Sequence, residues 1–92
     1  MTEAHLTAIL EASEAKKDPQ GWWVMQEGRH VTLYASAQGT SLTMGKVEAL
    51  RLDGPLVKAR SVRGELYIVA LEDVFAGQVE PRPQGARRAG FS

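Results

Sequence analysis

The sequence predicts a mainly β domain of the α+β class: an N-terminal helix followed by about five antiparallel strands in one strongly bent sheet. Three observations carry that prediction. Residues 47–76 hold three apolar-rich runs separated by Asp53-Gly54 and Arg63-Gly64, the spacing of a three-stranded meander. Residues 22–27 and 30–36 are rich in aromatic and β-branched residues and flank the turn Glu27-Gly28-Arg29. Ahead of them, Leu6, Ile9 and Leu10 stand at i, i+3 and i+4, the stripe of an amphipathic helix.

The helix is expected over 3–16. Ala4, Ala8, Ala12 and Ala15 favour it, Thr2 can cap its first turn, and Lys16 and Lys17 suit its C-terminal dipole. Asp18-Pro19 ends it, because a proline drives the residue before it out of helical geometry. A helix of this length is marginal alone, so its stripe must pack on the β part. Trp22-Trp-Val-Met-Gln-Glu27 and His30-Val-Thr-Leu-Tyr-Ala-Ser36 then form a hairpin. Residues 37–46, with Gly39 and Gly45, read as a looser connector that holds a short edge strand around Leu42 and Met44.

Taking Asp53-Gly54 and Arg63-Gly64 as two-residue loops sets a register for the meander. Leu50 then faces Val57, Ala59 faces Ile68, and Ser61 faces Leu66. Alternation collects Leu50, Leu52, Val57, Ala59, Leu66, Ile68 and Ala70 on a core face. Val47, Arg51, Leu56, Lys58, Arg60, Tyr67, Val69 and Leu71 fall on the outer face, which is part apolar and part basic with a tyrosine. Pro55 has to occupy a position whose missing N–H is not needed.

After the third meander strand, Glu72-Asp73 suggests one helical turn, and a short closing strand follows it. Over residues 47–80 this ending resembles that of SH3-like and Sm-like small barrels, and the resemblance implies a sheet that curls toward closure. The chain therefore reads as one domain over 1–80, with the helix at 3–16 and the β region at 22–80. Residues 81–92, rich in proline, glycine and arginine, read as a disordered basic tail.

Composition narrows the function classes. Ninety-two residues suit one domain with a modest core, and self-association is a common source of extra stability at that size. No cysteine is present to form a disulfide or a thiolate metal site. Eleven Lys and Arg balance eleven Asp and Glu, so no long-range field draws the chain onto nucleic acid. No apolar run approaches the roughly 20 residues of a membrane-spanning helix, and the first residues lack a secretory pattern, so the expectation is a cytoplasmic protein with no membrane partner.

The motifs of catalysis fail on spacing. Gly39-Thr-Ser-Leu-Thr-Met-Gly45-Lys46 places five residues between its glycines where a phosphate loop needs four, and Val47 stands where a magnesium-binding hydroxyl belongs. His5 and His30 lie on different elements without ligand spacing. Ser36, Ser41 and Ser61 lack a surrounding nucleophile motif. The reading is therefore not an enzyme, with no cofactor and no metal. It is a small adaptor or regulatory module that binds another protein or forms a homo-oligomer. The alternative is nucleic-acid or nucleotide binding through a basic and aromatic sheet face. The candidate binding residues are Trp22, Arg51, Lys58, Arg60, Tyr67 and Val69, with Arg87 and Arg88 in the tail. Trp22 and Trp23 are adjacent and must face opposite ways in a strand, so one can lie in the core while the other packs under the helix, packs against a partner or lies exposed.

Overall fold

The computed structural model describes residues 1–80 and places a single helix against a seven-stranded antiparallel sheet. The helix, α1, spans Glu3–Ala12. The strands are β1 (Lys16–Lys17), β2 (Trp23–Val24), β3 (Val31–Ala37), β4 (Thr40–Asp53), β5 (Leu56–Ser61), β6 (Leu66–Ala70) and β7 (Val74–Val79), with a 3₁₀ turn at Leu71–Asp73 between the last two. The sheet runs β1-β2-β4-β3-β7, and a branch from β4 continues through β5 to β6. It curls without closing into a barrel, since β6 and β7 do not pair. The predicted tail, including Arg87 and Arg88, lies outside the described residues.

α1 is shorter than the sequence suggests. Thr2 caps it, its side chain accepting the His5 N–H at 3.1 Å. At the far end Ser13 is fully buried, and its hydroxyl donates to the Leu10 carbonyl at 3.0 Å. Glu14 then takes a left-handed φ of 58°, which stops the helix and frees Lys16–Lys17 to pair with β2. The expected stripe is correct: Leu6, Ile9 and Leu10 are the buried residues of α1, each worth about 1.5–3 kcal/mol of apolar burial. Ile9 settles over Gly77 of β7, where an added Cβ would stand 2.5 Å from its Cδ1. That close approach is why a strand interior tolerates glycine here.

The connector expected at 37–46 is instead the tip of a hairpin, the end of β3 and the start of β4 meeting at a tight turn. Gln38 and Gly39 both take positive φ, 54° and 81°, and close a two-residue loop between β3 and β4, as a type I′ hairpin turn requires. β4 then runs 14 residues and serves three neighbours. Its first half pairs with β3, its second half with β5 and β2. Two irregularities let it change partners. Gly45 and Lys46, the latter at φ 54°, stand opposite Thr32 alone, and Glu48 is an extra residue against β5. Such bulges bend and twist a strand sharply. The core collects at this bend: Val31, Leu33, Met44, Val47, Leu50, Val57 and Val74 are all essentially without solvent contact.

Both meander registers differ from the expected ones, with unequal consequences. Gly54 and Pro55, not Asp53 and Gly54, form the first loop, so Asp53 pairs with Leu56 and Leu50 with Ala59. Glycine with φ 58° at the first loop position, with the proline second, suits a type II′ turn. This slip is two residues, so Leu50, Leu52, Val57 and Ala59 keep the predicted core face. The second slip is one residue. Val62, Arg63 and Gly64 make a three-residue loop in which Gly64 takes φ 84°, and Ala59 pairs with Tyr67 rather than Ile68. An odd slip exchanges the two faces of a strand. Tyr67 and Val69 therefore pack against the core, while Leu66 and Ile68, predicted to be core, are each 54 % exposed.

Candidate functional site

The odd loop leaves the outer side of β5 and β6 with an unexpected composition. Cross-strand pairs there are Leu56 with Ala70, Lys58 with Ile68 and Arg60 with Leu66. Leu56, Leu66 and Ile68 are among the few large apolar side chains left exposed. Leu66 and Ile68 lie on β6, which pairs with β5 alone, and Leu56 stands one strand back on β5.

Hydrogen bonding fixes which backbone groups of β6 stay open. The Ser61 N–H donates to the Glu65 carbonyl at 2.9 Å, and the Leu71 N–H donates to the Pro55 carbonyl at 2.8 Å. In an antiparallel pair every second residue turns its N–H and C=O toward the neighbour. Residues 65, 67, 69 and 71 do so here, and Leu66, Ile68 and Ala70 turn theirs away from β5. Beside this row runs a groove of about 320 Å³ lined by Ala35, Ala37, Leu42, Ile68, Val69 and Ala70, among others. It contains one carboxylate, Asp73, and no histidine. A mixed, mainly apolar groove beside an open strand edge suits strand addition.

The basic and aromatic constellation is divided. Lys58 Nζ lies 3.1 Å from the Asp53 carboxylate. Arg60 Nε lies 3.3 Å from Glu48, and its guanidinium carbon stands 5.2 Å from the centre of the Trp22 ring. Trp22 is thus the tryptophan of the outer face, half covered by Arg60. Trp23 turns inward, packs on the core and, with Leu52, Leu6 and Leu10, lines a cleft beneath α1. Arg51 is half-buried beside Gly21. Tyr67 is on the opposite face from these cations, its hydroxyl donating to Glu65 at 3.2 Å. Desolvation and the negative charge of Glu65 hold that hydroxyl above the ordinary tyrosine pKa, so it remains a neutral donor. Val69 lies inward beside it. The structure therefore gathers Trp22, Lys58 and Arg60, and separates Tyr67 and Val69 from them.

Comparison with known proteins finds no match: no family model, no curated protein and no solved structure is similar to this chain. No helix among the described residues is long and apolar enough to cross a membrane.

The residues that sequence reasoning missed are Leu66 and Ile68. The signal was present in Ser61, which lies four residues before Glu65. Its hydroxyl accepts the N–H groups of Arg63 and Glu65, both at 3.2 Å, and donates to the Glu65 carboxylate. A serine that gathers two turn amides favours the longer loop over a two-residue one.

Proposed function

We propose that this chain is a non-catalytic protein-interaction module that binds by taking a further strand onto the open edge of β6. The observation that carries the reading is the coincidence, on one short strand, of outward backbone groups at Leu66, Ile68 and Ala70 with outward apolar side chains at the first two. Main-chain bonds supply affinity in strand addition, and side chains of alternate residues supply selectivity. The strand, 3₁₀ turn and strand order of β6 and β7 supports kinship in architecture with SH3-like small barrels left open at one seam.

A display library of extended eight-residue peptides tests the reading. Peptides selected on the full chain are expected to lose at least tenfold in affinity when Ile68→Lys replaces the exposed side chain, while the melting temperature moves little, because Ile68 is half exposed. Selected peptides that bind the lysine variant equally well would refute the edge as the binding site.

The nucleic-acid alternative predicts different behaviour. With Lys58 and Arg60 already engaged by acids, and formal charge zero over the chain, the protein is expected to pass through a polyanion column at about 0.15 M salt. Retention that falls steeply with salt and disappears in Arg60→Ala would restore that alternative.

A further inference from the structure

Resting on the reading of β6 as a binding edge, we infer that its occupant is β6 of a second copy, added antiparallel about a two-fold axis through Ile68. The first argument is what protects each edge of the sheet. Exposed strand edges associate unless blunted by charge, proline, a bulge or extreme shortness. β1, one outer strand, has two residues and both are lysine. β7, another, is broken by a bulge between its pairings to Tyr34 and Ala35, and its Val74 carbonyl accepts the Met1 ammonium at 2.6 Å. β6 is Leu-Tyr-Ile-Val-Ala: no charge, no proline and no register shift over five residues. Among the described strands it is the edge left without a guard, which fits an edge that is normally covered.

The second argument is self-complementarity. A two-fold axis at Ile68 places Ile68 against its own copy and Leu66 against Ala70 of the other chain. These are the residues whose N–H and C=O groups point outward, so the new pairs are hydrogen-bonded ones. Their side chains all lie on the outer face, so Leu66, Ile68 and Leu56 of both copies merge into one apolar strip. The nearest cations, Lys58 and Arg60, sit one strand back on β5 and are neutralised by Asp53 and Glu48. Like charges therefore do not meet across the axis. A closed isologous contact of this kind ends at two copies. One pair of five-residue strands is a small interface, which suits a dissociation constant on the order of micromolar rather than nanomolar.

The absence of cysteine from the chain makes the test specific. Hydrogen-bonded antiparallel partners lie about 5.5 Å apart at Cα, inside the disulfide range. Ile68→Cys is expected to oxidise mostly to a covalent dimer. Leu66→Cys is expected to cross-link with Ala70→Cys in a mixture and not with itself, because its own copy is displaced by four residues, about 13 Å along the strand. Sedimentation equilibrium should show the full chain moving from 10.0 kDa toward twice that mass as concentration rises, with Ile68→Lys and Leu66→Lys both held at the lower mass.

A dimer that survives both lysine variants, or Leu66→Cys joining itself, overturns the inference. A chain that stays at the lower mass throughout, yet binds library peptides in an Ile68-dependent way, overturns self-pairing and leaves the interaction reading in place. A chain that does neither overturns both.

Discussion

Leu33→Ala is expected to remove about 3 kcal/mol of folding stability, within the 2–5 kcal/mol range for a buried leucine truncated to alanine. Leu33 has no exposed surface and sits mid-strand in β3, with Met44 of β4 on one side and Gly77 of β7 on the other. Gly77 has no side chain to move into the space, and Ile9 of α1 already occupies the gap above it. Met44, a flexible side chain paired across from Leu33, can relax inward, which keeps the loss from the top of the range. A domain of this size has a stability of only about 5–10 kcal/mol. The loss should therefore lower the melting temperature by roughly 12–24 °C. Circular dichroism melts at one fixed protein concentration measure it, since self-association would otherwise shift the midpoint. Leu42→Ala, on the same hairpin but 39 % exposed, is the control and should cost under about 1 kcal/mol. A Leu33 variant no worse than that control would contradict the sandwiching of β3 between β4 and β7.

The elements that could be read from sequence are those whose signal is local. The α1 stripe needs only the spacing of Leu6, Ile9 and Leu10. The strands β3, β5 and β6 need only their β-branched and aromatic content, and the 3₁₀ turn needs only an acidic pair after a strand. The connector at 37–46 misled because Gln38 stands where asparagine or aspartate usually signals a type I′ loop, and because Gly45 resembles a loop residue. Gly45 in fact marks the bend of a strand long enough to serve three neighbours. Its meaning depends on β5 and β2, which lie elsewhere in the chain. The hairpin expected of 22–27 with 30–36 does not form: β2 pairs with β1 and β4, and β3 with β4 and β7, pairings between distant segments that have no local signature.

The candidate site shows the same division at finer scale. Arg60 and one of the pair Trp22 and Trp23 were legible as outward residues, because neighbouring strand positions alternate, though which tryptophan was not. Nor was the contact of Arg60 with Trp22, since β2 reaches β5 only by pairing with the second half of β4. On β6, alternation was also correct, but its phase was not. Whether Ile68 or Val69 faces solvent depends on counting loop residues as two or three, a choice made by backbone conformation at Gly64 and by hydrogen bonds at Ser61. A proposed surface contact at Val69 thus moves to Ile68, its neighbour in sequence and its opposite in space.

That dependence makes the loop the place where fold and binding edge are coupled. Ser61 is 1 % exposed, and its hydroxyl satisfies two loop amides and one carboxylate. Ser61→Ala should cost about 0.5–1.5 kcal/mol, the net worth of an ordinary hydrogen bond, because the two amides belong to exposed loop residues that water can reach. Gly64 holds φ 84° with open space around an added Cβ, so the objection to a side chain is conformational rather than steric. Gly64→Val should cost at least about 1–2 kcal/mol, because a β-branched residue is a poor occupant of positive φ, whereas Gly64→Asn should cost less, since asparagine tolerates that region. Ser61→Ala and Gly64→Val act on one loop, so their costs need not add. Chemical denaturation gives the energies; amide exchange gives the coupling. If the three-residue loop sets the phase of β6, the Ser61 variant should lose protection at Tyr67 and Val69, whose amides face β5, while Leu33 in β3 stays protected. Uniform loss across both strands would mean that the variant simply unfolds more often, and that the loop does not govern the edge.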